Sequence, residues 1–210
     1  MGWVIFQIID NAFSKDFIES ARLLAKSLLL SPYYYIDTVS NYTDDYAGPD
    51  ARFNLQWYNI EDKNPLADVG HKILEYMKLH QDMSDVVGFE IWSRKESATY
   101  KDTGFASSYS EYPFNAEWHE DVDEDLRHQE GKLRHPLISS IYYLDVDISE
   151  GGKLIFPEHG LEVKPKTNRL ALFDPHMVHG VEPFKGTRVA LAVNPWTEPR
   201  PIRWNYLKKA

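Results

Sequence analysis

The chain has 210 residues and a formal net charge of −9, with 43% hydrophobic and 26% charged residues, which fits one globular domain and argues against general binding to a phosphate backbone. It contains no cysteine, so neither a disulfide scaffold nor a thiolate metal site is available. The stretch Met1–Phe6 lacks the basic region of a signal peptide and no apolar run approaches membrane-spanning length, so a cytoplasmic protein is expected.

Val4–Ile9 reads as a short strand, punctuated by Asn11 to Ser14. From Lys15 to Leu30 the pattern changes: Phe17, Ala21, Leu24 and Leu28 recur at helical spacing, with Ser14 or Asp16 placed to cap the start. Ser31–Asp50, rich in Tyr, Asp, Asn and Gly, reads as a loop. A second amphipathic helix is predicted from Pro65 to His80, with Leu66, Val69, Ile73 and Met77 as its apolar stripe. Strand-like segments then take over. Val86–Ser93 alternates, and the polar and aromatic stretch Arg94–Ala116 follows. Short strands come next at Leu137–Leu144, Lys153–Phe156, Leu161–Val163, Arg169–Phe173 and Arg188–Val193. Turn signals such as Glu150-Gly151-Gly152, Asp174-Pro175 and Lys185-Gly186 separate them.

This rhythm predicts a mainly β fold, an antiparallel barrel or jelly roll, with the N-terminal helices packed on one outer face. The expected organisation is a single domain over 1–210: N-terminal support over 1–85, a barrel core over 86–196 and a tail over 197–210. The Tyr-rich segments Tyr33–Tyr46 and Tyr100–Phe114 are candidate lids.

The sharpest local feature is Trp118-His119-Glu120-Asp121. On an extended strand, H-x-D sends an imidazole and a carboxylate to the same face, because side chains alternate with period two. Taken alone, the tripeptide reads better as part of a solvated acidic loop, since Glu117 and Asp123–Asp125 lie beside it. A third ligand would make a facial triad of the kind that leaves open positions on iron(II). His179 is the candidate, and His176 competes with it. On one strand the two histidines point to opposite faces.

Nine residues after His179 lies Arg188, opening the apolar run Arg188–Val193. A dicarboxylate chelating iron through a 2-oxo acid leaves its distal carboxylate in need of a buried cation, and a guanidinium pairs with it bidentately. Arg188, Ala190, Ala192 and Asn194 share one strand face, where the alanines leave room for a ligand. Ser139, Ile141 and Tyr143 share a face of the Leu137–Leu144 strand. A hydroxyl from Tyr143 could reach the same carboxylate, or the tyrosines could simply pack the core.

Taken together, His119-x-Asp121, Ile141-Tyr142-Tyr143-Leu144, Gly151–Pro157, Pro165-x-x-x-Arg169–Phe173 and His179-x-Val181-x-Pro183 leading to Gly186-Thr187-Arg188 resemble, in order and spacing, the iron(II)/2-oxoglutarate oxygenases, and specifically their prolyl-hydroxylase-like branch. The resemblance covers the stretch His119–Trp196. It implies a double-stranded β-helix holding iron between His119, Asp121 and His179. It implies Arg188 and Tyr143 on the 2-oxoglutarate C5 carboxylate, and Ser139 and Ile141, on the same strand face as Tyr143, are further candidates for that site. Trp118 and Asn194 are candidates for the substrate pocket. Arg188 stands where collagen-type prolyl hydroxylases carry lysine and oxygen-sensing ones carry arginine. Asp121 stands where halogenating relatives have a small residue. Two segments depart from the branch: the polar insert Val122–Pro136, and Tyr100–Trp118 in place of a glycine-rich approach.

The implied activity is hydroxylation of an unactivated C–H bond, coupled to conversion of 2-oxoglutarate and dioxygen to succinate and carbon dioxide, with ascorbate as a supporting reductant. The substrate would be a peptidyl residue such as proline, or a free amino acid or small metabolite. No nucleic acid or membrane partner is expected. A cupin-like binding barrel without oxygenase activity is the rival, since Pro157-Glu158-His159-Gly160 resembles a cupin turn, but it leaves Arg188 without a task.

Overall fold

Two antiparallel sheets follow from the alternation of apolar residues. The computed structural model describes residues 5–30, 52–63, 65–98, 118–123, 126–127 and 130–198. The elements in chain order are β1 (Phe6–Asp10), α1 (Lys15–Leu30), β2 (Arg52–Asn59), α2 (Pro65–Met77), β3 (Gly88–Ala98), β4 (Ser139–Gly151), β5 (Leu154–Phe156), β6 (Leu161–Val163), β7 (Arg169–Phe173), β8 (Gly180–Val181) and β9 (Phe184–Trp196). The larger sheet runs β1-β7-β4-β9-β3-β2 and the smaller runs β6-β5-β8.

The strand period of two divides the larger sheet into two apolar faces. Tyr142 and Leu144 of β4, Leu170 and Leu172 of β7, and Leu191 and Val193 of β9 pack on the helices. There they meet Phe17, Ala21 and Leu24 of α1 and Val69, Ile73 and Met77 of α2. Tyr143, Ala171 and Phe173 point the other way and pack against Leu154, Phe156, Val163 and Val181 of the smaller sheet. The result is the expected jelly roll, with helices on one outer face. Among the described residues no helix is long and apolar enough to cross a membrane.

Four local devices lock the layers. A Cβ at Gly70 would sit 2.1 Å from the Phe89 ring, so only glycine lets α2 approach β3 this closely. On β4 the pairing shifts from Tyr143↔Ala190 to Asp145↔Val189, leaving Leu144 as an extra residue. That bulge keeps Asp145 on the helix side, where its carboxylate pairs with Arg22 of α1 at 2.6 Å. Asn168, at φ 62°, accepts from Phe13 N–H and the Tyr142 hydroxyl, each at 3.1 Å, and donates to the Phe13 carbonyl at 2.9 Å. It thus ties the β6–β7 turn to the start of α1. Asp10 of β1 is held far below the usual carboxylate range by hydrogen bonds from Arg169 and Lys166, which pin β1 to that same region.

Helix α1 and strands β6 and β7 have the expected bounds. Other elements differ. Helix α2 stops at Met77, and residues 78–80 continue as turns rather than helix. β4 runs to Gly151 and β9 spans Phe184–Trp196, because pairing of β9 with β4 at one end and with β3 at the other carries the strands beyond the apolar stretches that announce them. β2 was not anticipated, although Phe53, Leu55 and Trp57 alternate with polar residues as a strand requires. β8 has two residues, too short to leave a pattern. The lid segments Tyr33–Tyr46 and Tyr100–Phe114, and the tail beyond Glu198, lie outside the described residues.

Candidate metal centre

The segment 118–121 is tied by an antiparallel bridge, His119 to His179, to the residue just before β8. The His119 N–H donates to the His179 carbonyl at 3.0 Å, and the His179 N–H returns to the His119 carbonyl at 2.9 Å. Two residues on, the Asp121 N–H donates to the Pro175 carbonyl at 3.2 Å. This pairing turns the three anticipated side chains toward one point. The Asp121 Oδ1 lies 4.0 Å from His119 Nε2 and 3.9 Å from His179 Nε2, and the three donor atoms all lie within 4.8 Å of one another.

The donor set fits a divalent cation. His179 is buried against the rings of Phe156 and Phe173, with centroids 5.7 and 4.9 Å away. Its Nδ1 lies 2.9 Å from the Met177 carbonyl, so Nδ1 carries the proton and the Nε2 lone pair faces Asp121. Burial, and then the neighbouring His119, push the His179 pKa down to about 4, against the smaller opposing pull of Asp121. The imidazole is therefore neutral at pH 7, the form a metal requires. His119 is about half exposed, which marks the solvent side of the cluster. His176, the competing histidine, lies outside it. Its Nδ1 contacts Asp174 at 2.9 Å and its side chain is largely exposed.

The four residues anticipated around the cosubstrate lie on adjacent strands of the larger sheet. Arg188 is buried on β9, with its guanidinium 5.2 Å from the Phe184 ring centroid. Because the bulge falls on β4, the alternation of β9 is unbroken and Arg188 shares the face of Ala190, toward the smaller sheet. Val146 stands opposite Arg188, and Tyr143 opposite Ala190. Tyr143 and Ile141 belong to the apolar cluster that includes Phe156 and Phe173, the two rings against His179. Ser139 pairs in register with Phe173, and its buried hydroxyl has no hydrogen-bond partner among the described residues. Such an orphaned group suits a polar ligand between the sheets.

Of the two substrate-pocket candidates, Trp118 is half-buried beside His119. Asn194 is buried, and its side-chain oxygen accepts from the Ser140 N–H at 3.3 Å. Nearby, the Ser140 hydroxyl replaces a ladder bond, donating to the Val193 carbonyl at 2.6 Å and accepting from the Val193 N–H at 3.0 Å. The cupin-like stretch Pro157–His159 forms an exposed 3-10 turn, and His159 is not among the donors.

The jelly roll gathers two imidazoles and a carboxylate at one point and buries an arginine on the inner face of its larger sheet. Residues 105–197 match the model of the 2OG-Fe(II) oxygenase superfamily, and the chain shares its fold with solved prolyl hydroxylases. A Pseudomonas putida prolyl-4-hydroxylase has the same fold at a TM-score of 0.56 and 15% identity, over 92% of this chain and 93% of that one. The viral collagen prolyl hydroxylase of Paramecium bursaria Chlorella virus-1, as its 2-oxoglutarate complex, gives 0.52 and 14% over 90% and 94%. A Trichoplax adhaerens prolyl hydroxylase bound to a hypoxia-inducible-factor peptide gives 0.54 and 13% over 98% and 87%. No curated protein sequence matches the chain significantly.

Proposed function

We propose that the chain hydroxylates an unactivated C–H bond, using iron(II) held by His119, Asp121 and His179 and 2-oxoglutarate anchored by Arg188. The observation that carries this reading is the convergence of two imidazole nitrogens and a carboxylate oxygen within 4.8 Å. Three protein donors leave positions for cosubstrate and dioxygen, and the bound iron would supply the oxidising chemistry. The Met177 carbonyl fixes the His179 tautomer, so that Nε2 is the donor. Asp121 supplies a carboxylate oxygen beside the two imidazole nitrogens. Arg188 offers a planar pair of donors to the distal carboxylate of 2-oxoglutarate, and the Tyr143 and Ser139 hydroxyls stand on the neighbouring strand of the same sheet.

The preferred substrate class is a peptidyl residue of prolyl type. The similar structures named above are prolyl hydroxylases, one of them carrying a peptide. A free amino acid or small metabolite is the second class. The test is mass spectrometry of proline-containing peptides and free amino acids incubated with protein, iron(II), ascorbate and 2-oxoglutarate. A gain of one oxygen atom on a peptide, matched by succinate, supports the peptidyl reading. Oxygen gained only by free amino acids supports the other class. Absence of any substrate-dependent succinate would contradict both.

A further inference from the structure

The two ligands on segment 118–121 need their direction fixed from outside the barrel. His119 and Asp121 face His179, so Glu120 between them faces the opposite side of the segment. Among the described residues the segment joins the sheet by a single bridge, His119 to His179. A strand held so briefly can roll about its own axis, and a small roll moves both donor atoms together.

The outward side shows what opposes that roll. The Glu120 carboxylate lies 2.9 Å from His135 Nε2. The His135 ring stacks on His176, with centroids 3.9 Å apart and planes at 26°. His176 is held in turn by Asp174, whose Oδ1 accepts from its backbone N–H at 3.0 Å and contacts its Nδ1 at 2.9 Å. The turn 174–177 closes on itself through the Met177 N–H to the Asp174 carbonyl, 3.0 Å. The same turn supplies the Pro175 carbonyl to Asp121 N–H and the Met177 carbonyl to His179 Nδ1. One turn thus touches both halves of the donor set from behind. A second tie lies just downstream. The Asp123 N–H donates to the Arg134 carbonyl at 2.8 Å, the Arg134 guanidinium pairs with the Asp123 carboxylate, and the guanidinium lies 5.7 Å from the Trp196 ring. Both His135 and Arg134 come from the insert Val122–Pro136.

We infer that His135, gripping Glu120 and stacked on His176, is a positioning residue that sets the angle at which His119 and Asp121 meet the metal. This rests on the metal reading above and extends it to residues that touch neither metal nor substrate. His176, which competes with His179 in the sequence, is the floor of this device rather than a ligand. The stack borders a groove of about 340 Å³, lined also by Ile5, Gln81, Pro136 and Leu137, so it does not fill the core.

The test is titration of the metal-free protein with cobalt(II), followed by calorimetry and by the visible d–d spectrum, which reports coordination geometry independently of turnover. His135→Ala should weaken cobalt(II) binding by about 10- to 100-fold and change the spectrum. His135→Gln, which retains a donor for Glu120, should restore most of the affinity and the wild-type spectrum. If His135→Ala fails to fold, Glu120→Ala is titrated in its place, with the same loss expected. Wild-type affinity and spectrum in the alanine variant would overturn the inference. Equal losses in His135→Ala and a well-folded His135→Gln would also overturn it. If the wild-type protein itself bound no cobalt(II), the failure would lie in the metal reading on which the inference stands.

Discussion

His119 and His179 are joined backbone to backbone: each donates its N–H to the other's carbonyl, at 3.0 and 2.9 Å, and their rings lie 4.4 Å apart. Two residues distant in sequence are therefore placed by the fold, and the third donor, Asp121, follows from the strand period.

Because main-chain bonds hold this arrangement, a ligand side chain can be removed without unfolding its surroundings. Asp121 is partly exposed at 23% of its side-chain surface. Asp121→Ala should change stability by no more than about 0.5 kcal/mol, as expected for a surface substitution. Cobalt(II) or iron(II) affinity should fall by at least about 100-fold. Thermal unfolding of the metal-free protein and calorimetric metal titration measure the two effects separately. A large loss of stability with metal binding intact would show that Asp121 is structural.

The His179 pKa predicts a pH dependence. Its folded value, about 4, lies below its ordinary 6.5, so between these values the unfolded chain binds the proton that the folded chain refuses. Stability of the metal-free protein should be level in this respect above 6.5 and fall as the pH drops toward 4. The steepest slope for one group is about 1.4 kcal/mol per pH unit. Urea unfolding at pH 5 and pH 7 checks the sign. His179→Phe, which removes the titrating group, should flatten this part of the profile.

At Arg188 the prediction concerns shape as well as charge. Arg188→Lys keeps the cation but loses the planar pair of donors. The 2-oxoglutarate KM should rise by about 10-fold for lysine and about 100-fold or more for alanine, corresponding to about 1.4 and 2.7 kcal/mol. Iron affinity should stay near wild type in both variants. Succinate release against 2-oxoglutarate concentration is the measurement, and an unchanged KM would remove Arg188 from the cosubstrate site.

Asn168 allows a clean division of backbone and side-chain effects. Asn168→Gly keeps access to the positive φ but loses the bonds to Phe13 and Tyr142. Asn168→Ala loses those bonds and must also occupy the left-handed region, at a further cost of about 1 kcal/mol. Both should unfold earlier than wild type, alanine first, and Tyr142→Phe should cost about 1 kcal/mol as a single lost bond. Equal stability of the glycine and alanine variants would show that the backbone conformation at 168 matters little.

The legible parts of this fold are those where one residue's period reports its own burial. The stripe Phe17, Ala21, Leu24 marked α1, and Arg169–Phe173 marked β7, because each buries a face against the rest of the chain. Strand ends depended on partners: β9 extends past Val193 because β3 pairs with it through Trp196, and no local pattern states that. The cluster of candidate donors was legible because H-x-D and a later histidine are side-chain chemistry. The devices that aim them were not. The Pro175 and Met177 carbonyls have no sequence signature, and Glu120–His135 is a pair fifteen residues apart inside a stretch that reads as polar loop.

The most direct test of the central claim is anaerobic titration of iron(II) into protein with 2-oxoglutarate, following the visible charge-transfer band of an iron–2-oxo-acid chelate. The account predicts a band that saturates at one iron per chain in the wild type and is lost in His119→Ala and His179→Ala. A band of undiminished intensity and stoichiometry in either variant would contradict the assignment of His119, Asp121 and His179 as the iron site.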